Sequence, residues 1–269
     1  MNQFIRPVQI TPEAHLIQSF WKAPGAPVGV HINTMVLASR EPVVFDTGVH
    51  ADEAGWHAAV SSVVDPEDVR WIVLSHEDHD HTGNLVTAME RFPNATVVAS
   101  WWMTERLTGS IELDPRRQRW LVAGDTLDIG DRTLVFERPP IFDSPTTRVA
   151  FDPRSGLLWG GDLGGALGPD PVVYVEEMDR DAHAENFVGV HGLVSRWVAL
   201  VDDAKYQATV DRLARLDIAT WANTHGPVYQ GARIGEAIDL LRLVPSASPV
   251  PEPGQVDLDG IVASLLVNA

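Results

Sequence analysis

Hydrophobic positions along the chain fall into short runs separated by turn residues, a pattern typical of a protein that mixes strands and helices. Apolar runs rich in β-branched residues predict strands, and apolar residues at helical spacing predict helices. The predicted strands of the N-terminal half cover residues 14–21, 29–38, 42–45, 71–74 and 95–99. The predicted helices between them cover residues 51–64, 84–92 and 101–107.

The C-terminal half repeats this order of strands followed by helices. Its predicted strands cover residues 121–123, 126–129, 133–137, 149–151, 157–159 and 218–223, and its predicted helices cover residues 184–201, 204–216 and 231–244. Two successive sets of strands and helices favour two sheets packed face to face with helices outside. The expected fold class is therefore α/β (α+β), arranged as a four-layer αββα sandwich.

The end of the chain has a different composition from the rest. Residues 245–254 contain four prolines, which favour an extended connector, and residues 256–267 have the pattern of a short amphipathic helix. We therefore predict one domain over residues 1–244 and a Pro-rich C-terminal tail with a short helix over residues 245–269.

Charge and cysteine content exclude several classes of function. The chain has 37 acidic and 20 basic side chains, a net charge of -17 and no cysteine. This charge disfavours nucleic acid and anionic membrane as partners. Without cysteine, any metal must bind to histidines and carboxylates. No apolar run long enough to span a membrane and no signal-peptide pattern are present, so a cytoplasmic location is expected.

The segment from Ser75 to Gly83 carries the strongest chemical signal. Three histidines alternate with three acidic residues directly after a predicted buried strand. A solvated acidic loop would not require histidine, whereas imidazole and carboxylate together suit iron, manganese or zinc. A strand leading into a turn can point His76, Asp78 and Asp80 to one side, with His81 turning back as the next helix begins.

Three further polar residues follow predicted strands or connections later in the chain. They are Asp143, Asp162 and His225. Each of them alone is more commonly a turn, cap or packed loop residue. Together with the first cluster, however, they recur at strand ends that a layered fold would bring to one place.

Four segments resemble the metallo-β-lactamase superfamily, and within it the flavodiiron and oxygen-binding di-iron branch. The segments are Phe45-Asp46-Thr47-Gly48, the loop His76-x-Asp78-x-Asp80-His81, Trp159-Gly160-Gly161-Asp162-Leu163-Gly164 and Thr224-His225-Gly226-Pro227-Val228-Tyr229. The four segments occur in the order and at the approximate spacing of that family, and together they span most of the chain. The resemblance is to a stand-alone metal domain without a flavodoxin domain.

The resemblance implies a binuclear metal site. His76, Asp78 and Asp143 would bind one metal, Asp80, His81 and His225 the other, and Asp162 would bridge them. Asp143 departs from the branch, which usually has a histidine at this position. Such a carboxylate-rich set favours iron, with manganese or zinc as alternatives.

Other residues are predicted to surround the ligands. Asp46, Ser75 and His79 are candidates to hold the ligands by hydrogen bonds. Glu77 and His79 occupy the intervening positions and are expected to point away from the metals. His31, Tyr174 and His191 are candidates to line a pocket, with ordinary packing as the alternative. Catalytic residues beyond the metal cluster are not predicted.

The implied function is binding or reduction of O2 or NO, or oxidation of a small substrate, at a di-iron site. Two alternatives remain open: a binuclear zinc hydrolase of an ester, lactone, amide or phosphoester, and an O2 or NO sensor without turnover. We expect no FMN bound by this chain, because about 25 residues after the last long predicted helix are too few for a flavin-binding fold. Two protein partners are open at this point. One is a separate electron-donor protein, and the other is a second copy of this chain in a homodimer.

Overall fold

A computed structural model describes residues 3–4, 7–23 and 26–267 of the chain. In chain order, its strands are β1 (Gln3–Phe4), β2 (Val8–Gln9), β3 (Ala14–Ile17), β4 (Ser19–Trp21), β5 (Val30–His31), β6 (Thr34–Leu37), β7 (Val43–Phe45), β8 (Trp71–Val73), β9 (Thr96–Ala99), β10 (Gln118–Trp120), β11 (Thr126–Asp128), β12 (Thr133–Glu137), β13 (Val149–Asp152), β14 (Leu157–Trp159), β15 (Thr220–Ala222) and β16 (Tyr229–Gln230).

Helices separate and follow these strands. The α-helices are α1 (Glu53–Ser61), α2 (His79–Thr82), α3 (Leu85–Arg91), α4 (Trp101–Leu107), α5 (Arg180–Val194), α6 (Asp203–Ala214), α7 (Ala232–Leu243) and α8 (Gln255–Val267). Among the described residues, no helix is both long enough and apolar enough to cross a lipid bilayer.

Two large sheets organise the fold. The first has seven strands in the order β10-β9-β8-β7-β6-β3-β2, and the second has six strands in the order β11-β12-β13-β14-β15-β16. A small sheet, β1-β4-β5, accompanies them. In the first sheet, β7, β8, β9 and β10 pair in parallel, and in the second sheet β14 pairs in parallel with β15. The carboxyl ends of parallel neighbours therefore lie at the same edge of their sheet.

Alternation of side chains along the strands produces the layers. In β8, Val73 faces the core between the two sheets, whereas Ile72 faces α1, α3 and α4. In β14, Leu157 and Trp159 face the core between the sheets, whereas Leu158 packs with α5, α6 and α7. The order of layers is therefore helices, sheet, sheet, helices, and the predicted αββα sandwich is confirmed.

Several predicted elements differ from the structure. Residues 14–21 and 29–38 were each predicted as one strand, but each range contains two strands that belong to different sheets. The predicted strand at residues 121–123 is a turn region, because the preceding segment Gln118–Trp120 pairs in parallel with β9. The predicted helix at residues 184–201 instead begins at Arg180, since the Asp179 side chain caps its first turn, and ends at Val194. A separate 3-10 helix, Arg196–Leu200, follows.

The end of the chain contains the predicted secondary structure. Residues 248–254 form neither helix nor strand, and α8 follows with an exposed surface over residues 255–263. The division of the chain into a domain of residues 1–244 and a tail stays a prediction.

Candidate metal centre

The predicted ligands come from loops that leave the two large sheets. His76 follows β8, Asp162 follows β14 and His225 follows β15, while Asp143 lies in the loop between β12 and β13. Asp80 and His81 lie in the short helix α2, and Asp78 is its N-cap residue. All seven side chains converge at one end of the sandwich.

The donor atoms form three overlapping groups within which all atoms lie within 4.8 Å of one another. The groups are His76, Asp78 and Asp143; Asp80, His81 and His225; and His76, His81 and Asp162. The first two groups coincide with the two predicted ligand sets, and the third contains the predicted bridge. Metal binding by these residues stays a prediction.

Asp162 lies between the two predicted ligand sets. One of its carboxylate oxygens faces a histidine of the first set, and the other faces two histidines of the second set. Its Oδ2 is 3.5 Å from Nε2 of His76. Its Oδ1 is 2.9 Å from Nε2 of His81 and 3.2 Å from Nε2 of His225. A carboxylate in this position can bind two cations at once, one through each oxygen.

A close backbone approach places Asp162 beside the histidine loop. Gly161 has a φ of 58°, and a Cβ built there would lie 2.8 Å from Cβ of Ser75. Both the left-handed backbone and the contact require glycine at position 161. The turn after β14 can therefore approach the loop that carries His76.

Buried polar atoms at the centre lack hydrogen-bond partners. Among the described residues, none donates to or accepts from Nε2 of His76, Nε2 of His81 or Oδ1 of Asp162 in hydrogen-bond geometry. Buried polar atoms are normally paired, so these three atoms require a partner of another kind. Imidazole nitrogens and a carboxylate oxygen directed at one point suit a metal ion.

Hydrogen bonds to the other ring nitrogen orient two of the histidines. Nδ1 of His81 lies 3.0 Å from Oδ2 of Asp46, and Nδ1 of His225 lies 2.8 Å from the backbone oxygen of His31. A carboxylate or a carbonyl only accepts, so Nδ1 donates in both cases, and in the neutral ring the lone pair is then on Nε2. This tautomer is the one that ligation through Nε2 requires.

Asp46 is the centre of this supporting network. Its carboxylate accepts from the backbone N–H and the hydroxyl of Ser75, at 2.7 and 2.8 Å, and from Nε1 of Trp159 at 3.1 Å. Asp46 is fully buried and has a φ of 56°, a conformation that Asp and Asn tolerate better than most residues. The hydroxyl of Ser75 also lies 3.3 Å from Nδ1 of His76.

Substitution of Asp46 by asparagine is expected to weaken metal binding about 10- to 100-fold, the usual effect of losing a hydrogen-bond partner of a metal ligand. Asparagine keeps the left-handed backbone but replaces one acceptor oxygen with a donor. Competition with a chromophoric chelator measures the affinity. The exposed Asp170, changed to asparagine, is the matched control. Equal affinities in the two variants would contradict the role of Asp46.

His79 does not support the ligands. Its side chain is exposed, and among the described residues it makes no hydrogen bond to any of the seven predicted ligands. It opens α2 on the solvent side, which agrees with the expectation that it points away from the centre.

Glu77 also points away, yet its role was missed by the sequence analysis. It is buried, with 8% of its surface exposed, and its carboxylate accepts from the hydroxyls of Ser144, at 2.9 Å, and Thr146. It also pairs with the guanidinium of Arg106. Glu77 therefore ties the loop of Asp143 to the loop of His76, a contact between distant segments that no local pattern signals.

The charges of the centre shift several pKa values. Burial alone would raise the pKa of Asp162, but His225, His81 and His76 hold it well below its usual range. Burial opposes protonation of His225, but Asp162 and Asp80 raise its pKa to about 10. Burial and the charge of Asp162 raise the pKa of Asp143. These directions follow from imidazoles and carboxylates held close together in a buried cluster.

A cavity of about 280 Å³ opens beside the centre. Its floor includes Asp78, Asp80, Asp143, Asp162 and His225. Its walls come from the loops before Asp143 and after Asp162 and from α5.

Of the three predicted pocket residues, His191 lines this cavity and the other two do not. His191 Nε2 accepts from the N–H of Gly164 and its Nδ1 donates to the carbonyl of Phe187, while burial lowers its pKa to about 4. His31 is buried, and its ring accepts from the N–H of Val172. Tyr174 packs against the core between the sheets and precedes a 3-10 turn, so His31 and Tyr174 follow the alternative of ordinary packing.

Comparisons with known proteins identify the family of the chain and its fold. Residues 30–226 match the sequence profile of the family described as "ODP family beta lactamase". The chain is 23% identical over 207 residues to the anaerobic nitric oxide reductase flavorubredoxin of Vibrio vulnificus, covering 75% of this chain and 41% of that protein. The chain spans about a third to a half of the length of the curated relatives it matches.

Two solved structures share the fold. The rubredoxin:oxygen oxidoreductase of Desulfovibrio gigas has 18% identity and a TM-score of 0.78, with 91% of this chain and 63% of that chain covered. A structure titled as the peroxy di-iron species of the chemotaxis sensor ODP has 18% identity and a TM-score of 0.67, with 88% of this chain and 94% of that chain covered.

The family profile covers more than half of the chain, and the fold of the flavodiiron core structures agrees with it. The sequence resemblance to the metallo-β-lactamase fold and its di-iron branch is thereby confirmed. The chain belongs to the ODP family of beta lactamases.

Proposed function

We propose that this protein holds two iron ions at the candidate metal centre and binds or reduces O2 or NO there. The observation that carries the proposal is the position of Asp162, whose two oxygens face histidines of the two different ligand sets. A single buried carboxylate shared in this way is suited to a pair of cations rather than to one.

The chemistry of the donors supports iron. The seven residues supply three imidazoles and four carboxylates. Carboxylates favour hard cations such as iron or manganese, whereas zinc is usually bound by sites richer in nitrogen or sulfur. Four negative charges also balance two divalent cations, so the loaded centre would be close to neutral.

Paired iron ions bound here would supply electrons to O2 or NO two at a time. The residues of the chain orient the predicted ligands and enclose the centre. Asp46 and the carbonyl of His31 hold the rings of His81 and His225 with Nε2 toward the centre. The walls of the cavity on the open side are mainly apolar.

The relatives support both an enzyme and a sensor. The flavorubredoxin of Vibrio vulnificus is an anaerobic nitric oxide reductase, which favours reduction of NO. The chemotaxis sensor ODP favours the second candidate, O2 binding without turnover, and this chain covers 94% of that structure. The zinc hydrolase alternative has less support, because Asp78 and Asp143 make the donor set rich in oxygen.

Metal analysis tests the di-iron proposal. Protein produced without added metal and purified in air is expected to contain about two irons per chain and to show near-ultraviolet absorption of ferric iron. A colourless protein with two zinc ions per chain would reject the proposal and favour hydrolysis.

Oxygen consumption separates enzyme from sensor. The protein is reduced anaerobically and then given a pulse of O2, with and without excess reductant. Continued consumption in the presence of reductant identifies an enzyme. One binding event per centre, with no further uptake, identifies a sensor.

The electron donor and the oligomeric state of the protein also belong to the proposal. We propose that an electron-donor protein separate from this chain reduces the centre and that this chain binds no FMN. Homodimer formation, a cytoplasmic location and the separate status of the tail stay predictions.

A further inference from the structure

Glu77 lies between two predicted ligands but directs its side chain away from the centre. Its neighbours in the chain, His76 and Asp78, belong together with Asp143 to the first ligand set. The Glu77 side chain is buried. A buried carboxylate requires donors, and the identity of these donors indicates which parts of the chain it holds in place.

Two of the donors to Glu77 follow Asp143 in the chain. Oε1 of Glu77 accepts from the hydroxyl of Ser144 at 2.9 Å, and Oε2 accepts from the hydroxyl of Thr146. The N–H of Ser144 in turn donates to Oδ1 of Asp143 at 2.5 Å, and this oxygen lies 3.7 Å from Nε2 of His76. Glu77 is therefore connected to all three members of the first ligand set, to two of them by peptide bonds and to Asp143 by hydrogen bonds.

The third donor balances the charge of Glu77. The guanidinium of Arg106, which extends from α4, pairs with Oε1 of Glu77, and the Arg106 side chain is 45% exposed. Two opposite charges in contact largely cancel each other at the distance of the metals. We therefore expect Glu77 to act on the centre through the position of the Asp143 loop rather than through its own charge.

The second ligand set is held by other groups. This set consists of Asp80, His81 and His225. Nδ1 of His81 donates to Asp46, and Nδ1 of His225 donates to the carbonyl of His31. The donors to the carboxylate of Glu77 among the described residues come instead from the Asp143 loop and from α4. The two halves of the centre therefore have separate supports.

We propose that Glu77 is a positioning residue for the first ligand set alone. It fixes the loop of Asp143 against the loop that carries His76 and Asp78, and it thereby sets the affinity for one of the two metals. This inference rests on metal binding at the centre, as the proposed function does, but not on the identity of the metal. The two metal positions are therefore expected to respond differently to substitution of Glu77.

Removal of the Glu77 side chain is expected to leave the two loops together. The N–H of Arg148 donates to the backbone oxygen of Ser75 at 2.9 Å, which joins the same two loops beyond the end that carries Asp143. Arg106 is already partly exposed and can turn its charge to water. The substitution therefore frees mainly the end of the loop at Asp143.

Zinc titration followed by NMR of the histidine rings tests the proposal, because each ring reports one metal position. Chelator buffers fix the concentration of free zinc, the signal of His76 reports the first ligand set, and the signal of His225 reports the second. In Glu77→Ala, half-saturation at His76 should require about ten times more free zinc, the lower end of the effect typical of groups that support metal ligands. Half-saturation at His225 should not change.

A substitution on the other side of the contact tests the same link and serves if Glu77→Ala does not fold. Thr146→Val removes the hydroxyl that donates to Glu77 and keeps a side chain of similar shape. It should shift half-saturation at His76 in the same direction. The combined variant should lose less affinity than the product of the two single effects, because both substitutions remove the same hydrogen bond.

Two further variants are controls. Glu105→Ala removes an exposed acid next to Arg106 on α4 and should change neither metal position. Asp46→Asn removes the partner of His81 and should shift half-saturation at that ring, which shows that the signals of the second set can respond.

The inference is overturned by unchanged half-saturation at His76 in Glu77→Ala, by equal shifts at His76 and His225, or by fully multiplicative effects in the combined variant. These outcomes differ from failure of the di-iron proposal. A protein purified with two zinc ions that shows the selective loss at His76 rejects only the proposed function. A protein purified with two irons whose Glu77→Ala variant keeps both affinities rejects only this inference.

Discussion

Replacement of Asp162 by alanine is expected to reduce the metal content from about two ions per chain to nearly none. Asp162 is the only residue among the seven whose carboxylate approaches all three histidines of the centre. Its loss would leave His76, His81 and His225 without the anion that lies between them, and neither set would keep a full complement of ligands. Elemental analysis of the purified variant measures the effect.

The variant must be shown to fold, because Asp162 is largely buried. Far-ultraviolet circular dichroism and a cooperative thermal transition provide that check. Asp170→Ala, an exposed acid eight positions later on the same connection, is the matched control and should keep both metals. Two metals per chain in a folded Asp162→Ala protein would refute the bridging role.

Replacement of Asp143 by histidine is expected to keep both metals and to raise the reduction potential of the centre. Oδ1 of Asp143 lies 3.7 Å from Nε2 of His76. The change exchanges an anionic ligand for a neutral one and so destabilises the oxidised, more positive state. Unit charges about 4 Å apart interact by roughly 4 kcal/mol at an effective dielectric constant of about 20, which corresponds to a shift of roughly 170 mV for a one-electron step.

Spectroelectrochemical titration of the iron-loaded variant measures this potential. Asp143→Glu keeps the negative charge and is expected to stay much closer to the wild-type potential. A histidine variant with an unchanged or lower potential, while still holding two irons, would show that the charge at position 143 does not act on the metals.

The resemblance to the di-iron branch predicted the set of seven residues whose side chains lie together at the centre, and their role as metal ligands stays a prediction. His76, Asp162 and His225 each follow a buried strand, and parallel pairing of β7 with β8 and of β14 with β15 brings such strand ends together. The loop from His76 to His81 is short, so the spacing of its residues largely determines which side chains point to the same side. The layers were predicted from the two successive sets of strands and helices along the chain.

Contacts between distant segments were not predictable from local patterns. Glu77 was expected only to point away, yet it binds Ser144 and Thr146 across 67 and 69 positions of sequence. The polar segment Gln118–Trp120 forms an edge strand because β9 offers it a partner, and its own composition does not favour a strand. The positions of His31 and Tyr174 likewise depend on tertiary packing that periodicity does not encode.

The proposed metal ligands are divided between the two halves of the sandwich. His76, Asp78, Asp80 and His81 follow the first large sheet, whereas Asp143, Asp162 and His225 belong to loops of the second. Ions bound among them would clamp the halves together and stabilise the native chain by mass action. When iron is scarce in a cell, more copies would then be open to proteolysis, and the abundance of the protein would follow the iron supply whatever reaction the centre performs.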